Sequence, residues 1–194
     1  MENSGGILKI AVLVLASGIF FVGCAKNDKN TEDNQKRGKQ MESSLKSSGF
    51  ENNGFIPVKY TGLGEDISPG LSWSGIPSGV ESFALICDDP DAPGKTWVHW
   101  VIYNIPSSRE SLLEGFHTAK EFPDGVRQGV NDFGKTGYGG PNPPAGKAHR
   151  YFFKLYALDI VLDLEAGTTK PELETAMAGH ILGKAEIVGL FKRP

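Results

Sequence analysis

The chain reads as a mainly β protein whose strands form a mainly antiparallel sheet with a peripheral helix. Three observations carry that reading. The apolar runs are short, rich in β-branched and aromatic residues, and bounded by Pro, Gly and Asp. The 194 residues include 25 glycines and 12 prolines, too many turn formers for an all-helical protein. Helical spacing is convincing in one late segment, whereas a βαβ series would need a helix between successive strands.

In chain order, the first element is a leader rather than part of the fold. Residues Ile7 to Cys24, "ILKIAVLVLASGIFFVGC", are apolar, preceded by few charges and close to the length of a signal-peptide core. "FVGC" resembles the lipobox of bacterial and archaeal lipoproteins, which would make residues 1–23 a lipoprotein signal peptide and Cys24 the lipidated first residue of the mature chain. Phe21 stands where leucine is usual, and Glu2 accompanies Lys9 in the positive region. A cleaved leader and an uncleaved anchor helix both put the domain outside the cytoplasm on a membrane. Residues 24–48 are polar and mixed in charge, and cannot repay their ordering entropy by burial. They are expected to form a flexible tether, with a single domain over 49–194.

Within that domain "FALIC" (Phe83 to Cys87), "WVHWVIYNI" (Trp97 to Ile105) and "RYFFKLYALDI" (Arg150 to Ile160) are predicted strands. "FIPVKYTG" and "LSWSGIP" are predicted shorter strands or edges, because proline is excluded from ladder interiors. In "TTKPELETAMAGHILGK", Thr169 can cap, Pro171 and Glu172 suit a first turn, and Leu173, Met177 and Ile181 share a face, predicting a helix that includes His180. "AEIVGLFKR" returns as a last strand. With Cys24 lipidated, Cys87 has no partner for an intrachain disulfide and reads as a small buried hydrophobe.

A net charge of −3 and no Lys/Arg stripe with interleaved aromatics exclude a nucleic-acid footprint. The chemistry concentrates elsewhere. "CDDPDAPGKTWVHW", Cys87 to Trp100, ends a strand on Asp89 and Asp91 between fixed prolines and opens the next on Trp97 and His99. Period two places Trp97, His99 and Val101 on one face and Val98, Trp100 and Ile102 on the other, so His99 joins the core or lines a hollow at its end. Asp88 is expected to face away from Asp89. The glycine- and proline-rich loop Asn131 to Tyr151 is costly unless packed or functional, since its glycines let backbone approach a ligand. Asp132 is expected to organise that loop through backbone bonds, and Arg150 to form an ion pair rather than touch a ligand.

Taken together, "DISPGLSW", "DPDAP", "HWVIYNIP", "NDFGKTGYGGPNPP", "HRYFFKLYALD" and "MAGHILGKAEIVG" resemble the phosphatidylethanolamine-binding protein family, in its bacterial and archaeal Raf kinase inhibitor-like branch. The resemblance implies a large central antiparallel sheet, a smaller sheet, peripheral helices and an anion-accepting pocket. It carries pocket roles onto Asp89, Asp91, His99, Gly140, Pro141, His149 and Tyr151. It implies binding of phosphate-like groups, including phospholipid head groups, without catalysis, cofactor or metal. The alternative is an inhibitor or adaptor of an extracytoplasmic protein, such as a protease. Gly70 replaces the second proline of the usual SPPL, and Asn142 replaces a cysteine often seen in GGPCPP.

The residues suggest how such a pocket would work. Protonated His99 and His149, the Tyr151 hydroxyl and loop N–H groups would donate to the anion, while one aspartate holds a histidine tautomer and the other meets backbone amides. Trp97 is a possible face for a ligand cation. A metal reading of Asp89, Asp91, His99 and His149 lacks an HExxH helix or an EF-hand continuation, and a hydrolase reading lacks a GxSxG elbow.

Overall fold

Two antiparallel-rich sheets stack with the core between them. The computed structural model describes residues 43–194; the leader, Cys24 and the tether to residue 42 lie outside the described residues. In chain order the strands are β1 (Ser44–Ser47), β2 (Gly54–Phe55), β3 (Leu71–Ser74), β4 (Ser82–Asp89), β5 (Trp97–Pro106), β6 (Ser111–Leu112), β7 (Arg127–Gln128), β8 (His149–Leu158) and β9 (Ile181–Phe191). Helix α1 spans Lys170–Met177. The small sheet has the order β1-β3-β6 and the large one β2-β9-β8-β4-β5-β7. Every described pairing is antiparallel except β2 with β9. This is the mainly β, two-sheet fold that the resemblance implies. Among the described residues no helix is long and apolar enough to cross a membrane.

β4 is buried along its whole length because both faces of the central sheet are covered. Phe83, Leu85 and Cys87 face the small sheet, where they meet Leu45, Leu71, Trp73 and Leu112 together with Trp100, Phe153 and Leu155. Ala84 and Ile86 face the opposite layer, made of Val98, Val101, Tyr103, Leu158, Leu162 and the α1 residues Leu173 and Met177. Truncating a fully enclosed ring such as Phe153 to alanine would cost about 3–5 kcal/mol in lost transfer energy and cavity.

Three local expectations change. Residues 44–47 belong to β1 rather than to the tether, because Leu45 is buried opposite Trp73 and the flanking serines bond across, Ser44 Oγ to Ser74 Oγ at 2.9 Å. The "FIPVKYTG" segment yields the two-residue β2 and a 3₁₀ turn over Val58–Tyr60. Helix α1 starts as expected, with Glu172 accepting hydrogen bonds from the Thr169 backbone and hydroxyl. It stops at Met177, since Gly179 takes a φ of +87° and turns the chain, so that Ile181 opens β9 and His180 instead meets Asp159 at 2.9 Å.

Candidate functional site

At the end of the central sheet where β4 leaves and β5 and β8 begin, the strands position four polar side chains around a cavity of about 180 Å³. Asp89, His99, His149 and Tyr151 line it together with Trp97, Phe133, Ala92, Pro93, Asn142, Pro143 and Pro144. The polar side chains come from sheet positions, where their rotamers are held by packing, and the loops supply the apolar walls together with Trp97 of β5.

Asp89 and His149 form a buried pair, Nδ1 to Oδ2 at 2.8 Å, with both side chains 4% exposed. The other carboxylate oxygen, Oδ1, accepts the Asp91 N–H at 2.8 Å. Asp89 therefore fixes the His149 ring, the tautomer-holding role expected of one aspartate, and turns Nε2 away from the carboxylate.

His99 reaches the cavity through a break in the ladder. Cys87 pairs with Trp100 and Asp88 with Val98, which leaves His99 as the extra residue of a β-bulge. The bulge corrects the expected alternation. Trp100 and Ile102 pack under the small sheet and Val98 and Val101 on the opposite layer, while the His99 ring stands edge-on to Tyr151 at 5.1 Å and to Phe133 at 5.5 Å. Its Nδ1 lies 2.5 Å from the Gly139 carbonyl oxygen, and the Gly139 N–H donates back to the His99 carbonyl at 2.9 Å. Burial is the largest influence on its pKa and holds it below the ordinary histidine value, against the opposing pull of Gly139 and the nearby aspartates. His99 is thus a neutral ring at neutral pH, not the protonated donor that the sequence suggested.

Two donors on the wall have no partner. Trp97 Nε1 and the Tyr151 hydroxyl are buried without a hydrogen bond among the described residues. The Tyr151 phenol is pushed up, mainly by burial and next by the charge of Asp89, whose carboxylate lies near the hydroxyl without meeting hydrogen-bond geometry, so it stays protonated. Cys87 is buried and its thiol is likewise pushed up by burial, in keeping with a packing role.

Three residues expected at the pocket lie outside its lining. Asp91 turns to Arg150, which donates Nε at 2.8 Å, Nη2 at 2.8 Å and its backbone N–H at 3.0 Å. That fork holds the Asp91 carboxyl down at about 2, with the guanidinium hydrogen bond as first cause. Gly140 is spent on packing: a side chain there would come within 2.4 Å of the Tyr60 carbonyl, and its N–H donates to Asp66 at 2.6 Å. Pro141 is buried and its carbonyl accepts the Gly62 N–H at 3.0 Å. The N–H groups of Gly139 and Gly140 therefore serve the fold rather than an anion cradle.

The loop itself is organised by Asn131, whose Oδ1 accepts the Phe133 and Lys135 N–H groups and whose Nδ2 donates to the Gly137 carbonyl. Asp132, expected in that role, instead accepts the Val98 N–H at 2.7 Å and pairs with Lys95, which lies over the Trp97 ring. A ligand cation at the outer face of Trp97 would compete with that lysine. Among the described residues no group of three or more His, Cys, Asp or Glu side chains is arranged to hold a metal ion.

The residues 46–192 match the family model described as phosphatidylethanolamine-binding protein. The chain belongs to the phosphatidylethanolamine-binding protein family. A UPF0098 protein of Methanothermobacter thermautotrophicus is 55% identical over 150 residues, covering 77% of this chain and 99% of the relative. The UPF0098 protein YbhB of Escherichia coli is 44% identical over 131 residues, 66% of this chain and 83% of YbhB. Among solved structures, a phosphatidylethanolamine-binding protein homolog from Chlamydia trachomatis, CT736, superposes with a TM-score of 0.72 at 40% identity, over 79% of this chain and 99% of its own. Escherichia coli YbcL, described as a new member of the mammalian PEBP family, gives 0.74 at 32% identity over the same shares. Membership supports a binding-type function in general terms. The wall residues Phe133, Pro143 and Pro144 are not singled out in the sequence, although the glycine- and proline-rich loop that carries them is, whereas Trp97 reads there as a possible face for a ligand cation.

Proposed function

We propose that the cavity binds a small oxyanion, such as a phosphate or a phospholipid head group, without turning it over. One observation carries this reading: the two buried donors of Trp97 and Tyr151 meet no partner in hydrogen-bond geometry and line, with the Asp89–His149 pair, a hollow with room for a small anion. An unsatisfied buried donor costs about 1–3 kcal/mol, and an acceptor oxygen in the cavity would recover that cost at both positions. Support for binding over turnover comes from the histidines. Each spends Nδ1 on a fixed partner, and no serine, threonine or cysteine among the described residues is bonded to either ring as a nucleophile would be.

The localisation follows from the leader. In this reading Cys24 carries lipid, and the domain works at the outer face of a membrane, within reach of lipid head groups or of an extracytoplasmic protein partner. Mass spectrometry of the purified chain tests the lipid on Cys24: an intact Met1 would overturn cleavage and lipidation, and recovery of the chain in the cytosolic fraction would overturn the localisation. Calorimetric titration of the full chain with inorganic phosphate and with phosphoethanolamine tests the site. Saturable binding in the millimolar range or tighter is expected, weakened in Tyr151→Phe, and no saturation by about 10 mM in either titration would reject the reading.

A further inference from the structure

The polar atoms of the cavity wall do not all ask for the same thing. Trp97 Nε1 and the Tyr151 hydroxyl offer hydrogens, whereas the free ring nitrogen of His99 can only take one. The Gly139 carbonyl oxygen, 2.5 Å from His99 Nδ1, can only accept, so Nδ1 carries the ring's hydrogen. Nε2 is then a bare lone pair, and it makes no hydrogen bond with any described residue. The charged and titratable groups around the ring are Asp88 and Asp89 of β4, Asp132 of the loop, and His149 and Tyr151 of β8. Burial outweighs the three carboxylates and keeps the imidazole neutral at neutral pH.

We infer that the cavity selects oxyanions that still carry a proton, a phosphate monoanion free or as a monoester, because His99 Nε2 needs a donor where Trp97 and Tyr151 need acceptors. This rests on the oxyanion reading of the same cavity. A phosphate monoanion meets both demands, with its P–OH donating to Nε2 and its other oxygens accepting. Sulfate and phosphodiesters have no proton to give at neutral pH and would set lone pair against lone pair. A phosphomonoester dianion fails in the same way, whereas the free phosphate dianion keeps one P–OH; both place a second negative charge near buried Asp89. His149 does not alter the rule: its Nε2 adds a donor when the ring is doubly protonated and an acceptor when it is neutral, and the His99 lone pair stays unanswered by sulfate in both cases. The rule also separates ligands within the family's name, since a phosphatidyl diester lacks the P–OH that a phosphomonoester retains.

The test is calorimetry on the full chain with inorganic phosphate, methyl phosphate, sulfate and dimethyl phosphate, at about pH 6 and about pH 8, the first close to a phosphomonoester's second ionisation near 6 and the second well above it. Phosphate and methyl phosphate are expected to bind about tenfold or more tighter than sulfate and dimethyl phosphate at the lower pH. At the higher pH methyl phosphate should lose its advantage, since its dianion carries no proton, and inorganic phosphate should keep part of its own through the P–OH of its dianion, while sulfate stays weak throughout. The order of methyl phosphate and inorganic phosphate at the lower pH tells ester from free ion, and either order supports the proton rule. Sulfate binding as tightly as phosphate at about pH 6 would overturn the selectivity and leave the oxyanion site standing; no binding by any of the four would instead remove the site. His99→Leu, which removes the lone pair, is expected to bring the phosphate-to-sulfate ratio near one. Nitrogen-15 spectra of the unsubstituted chain give an independent readout, and a hydrogen on His99 Nε2 at neutral pH would sink the proposal.

Discussion

Asp88 and Asp89 are neighbours in β4, both buried, and they point to opposite faces of the sheet with opposite consequences. Asp88 is held between two ammonium groups, Lys154 at 2.7 Å and Lys170 at 2.5 Å, the second brought in by the first turn of α1. Asp89 meets one imidazole and one backbone N–H at the edge of a hollow that contains unpartnered donors. Full compensation marks Asp88 as a clamp between sheet and helix. Incomplete satisfaction around Asp89 marks a place where something else completes the bonding. Two carboxylates of the same type, one residue apart, are told apart by what remains unpaired nearby.

The clamp should carry the larger stability effect. Asp88→Ala strands two partly buried ammonium groups, and urea unfolding is expected to show a loss of about 3 kcal/mol. Phosphate affinity should stay within about twofold, because the substitution acts on the far face. A large loss of affinity with no loss of stability would reverse the two assignments. On the cavity face, Asp89→Ala leaves His149 Nδ1 buried without its acceptor and is expected to cost about 2 kcal/mol. The distinguishing signature is spectroscopic: the His149 tautomer should lose its preference in Asp89→Ala and keep it in Asp88→Ala.

How much of this contrast could be seen in the sequence depends on the range of the interactions behind it. Strand alternation is local, so Asp88 facing away from Asp89 was legible, as were the long strands and the Thr169–Glu172 cap. The bulge at His99 was not, because it is a matter of register between β4 and β5, and it moved Val101 away from the face assigned to it. The same holds for β1, whose single apolar residue Leu45 becomes a strand position only through its pairing with β3. The glycine loop misled for a related reason. A free backbone N–H and one bonded to Asp66 or to His99 look identical in sequence, and only the fold shows that Gly139 and Gly140 are already occupied. The pocket set came from the family resemblance, and four of its seven members, Asp89, His99, His149 and Tyr151, converge on the cavity.

Tyr151→Phe isolates the meaning of an unpartnered group. In a satisfied site, removing a hydroxyl lowers stability and binding together. Here the hydroxyl has no protein partner, so the free protein is expected to keep its stability or gain up to about 1 kcal/mol. Phosphate affinity should fall about tenfold, close to 1.4 kcal/mol. Losses of the same sign in urea unfolding and in calorimetry would show that the hydroxyl has a partner in the free protein and would weaken the contrast with Asp88.

The smallest effect separates Asp91 from Asp89 and concerns acid rather than ligand. The Arg150 fork holds the Asp91 carboxyl at about 2, below the unfolded value of 3.8. The unfolded chain therefore binds the proton first, so the contribution is fully present above 3.8 and is lost as pH falls through about 2. Arg150 is half exposed, with 53% of its side chain accessible, so screening by water keeps the gain small. Arg150→Gln should then lie slightly below the unsubstituted protein at neutral pH and converge with it near pH 2, as followed by urea midpoints across the acid range. Because Asp91 lies outside the cavity lining, phosphate affinity should change little in the same variant. A difference that persists unchanged to the lowest pH would mean that the guanidinium acts by packing over Phe152, 5.5 Å from its ring, rather than through the carboxylate.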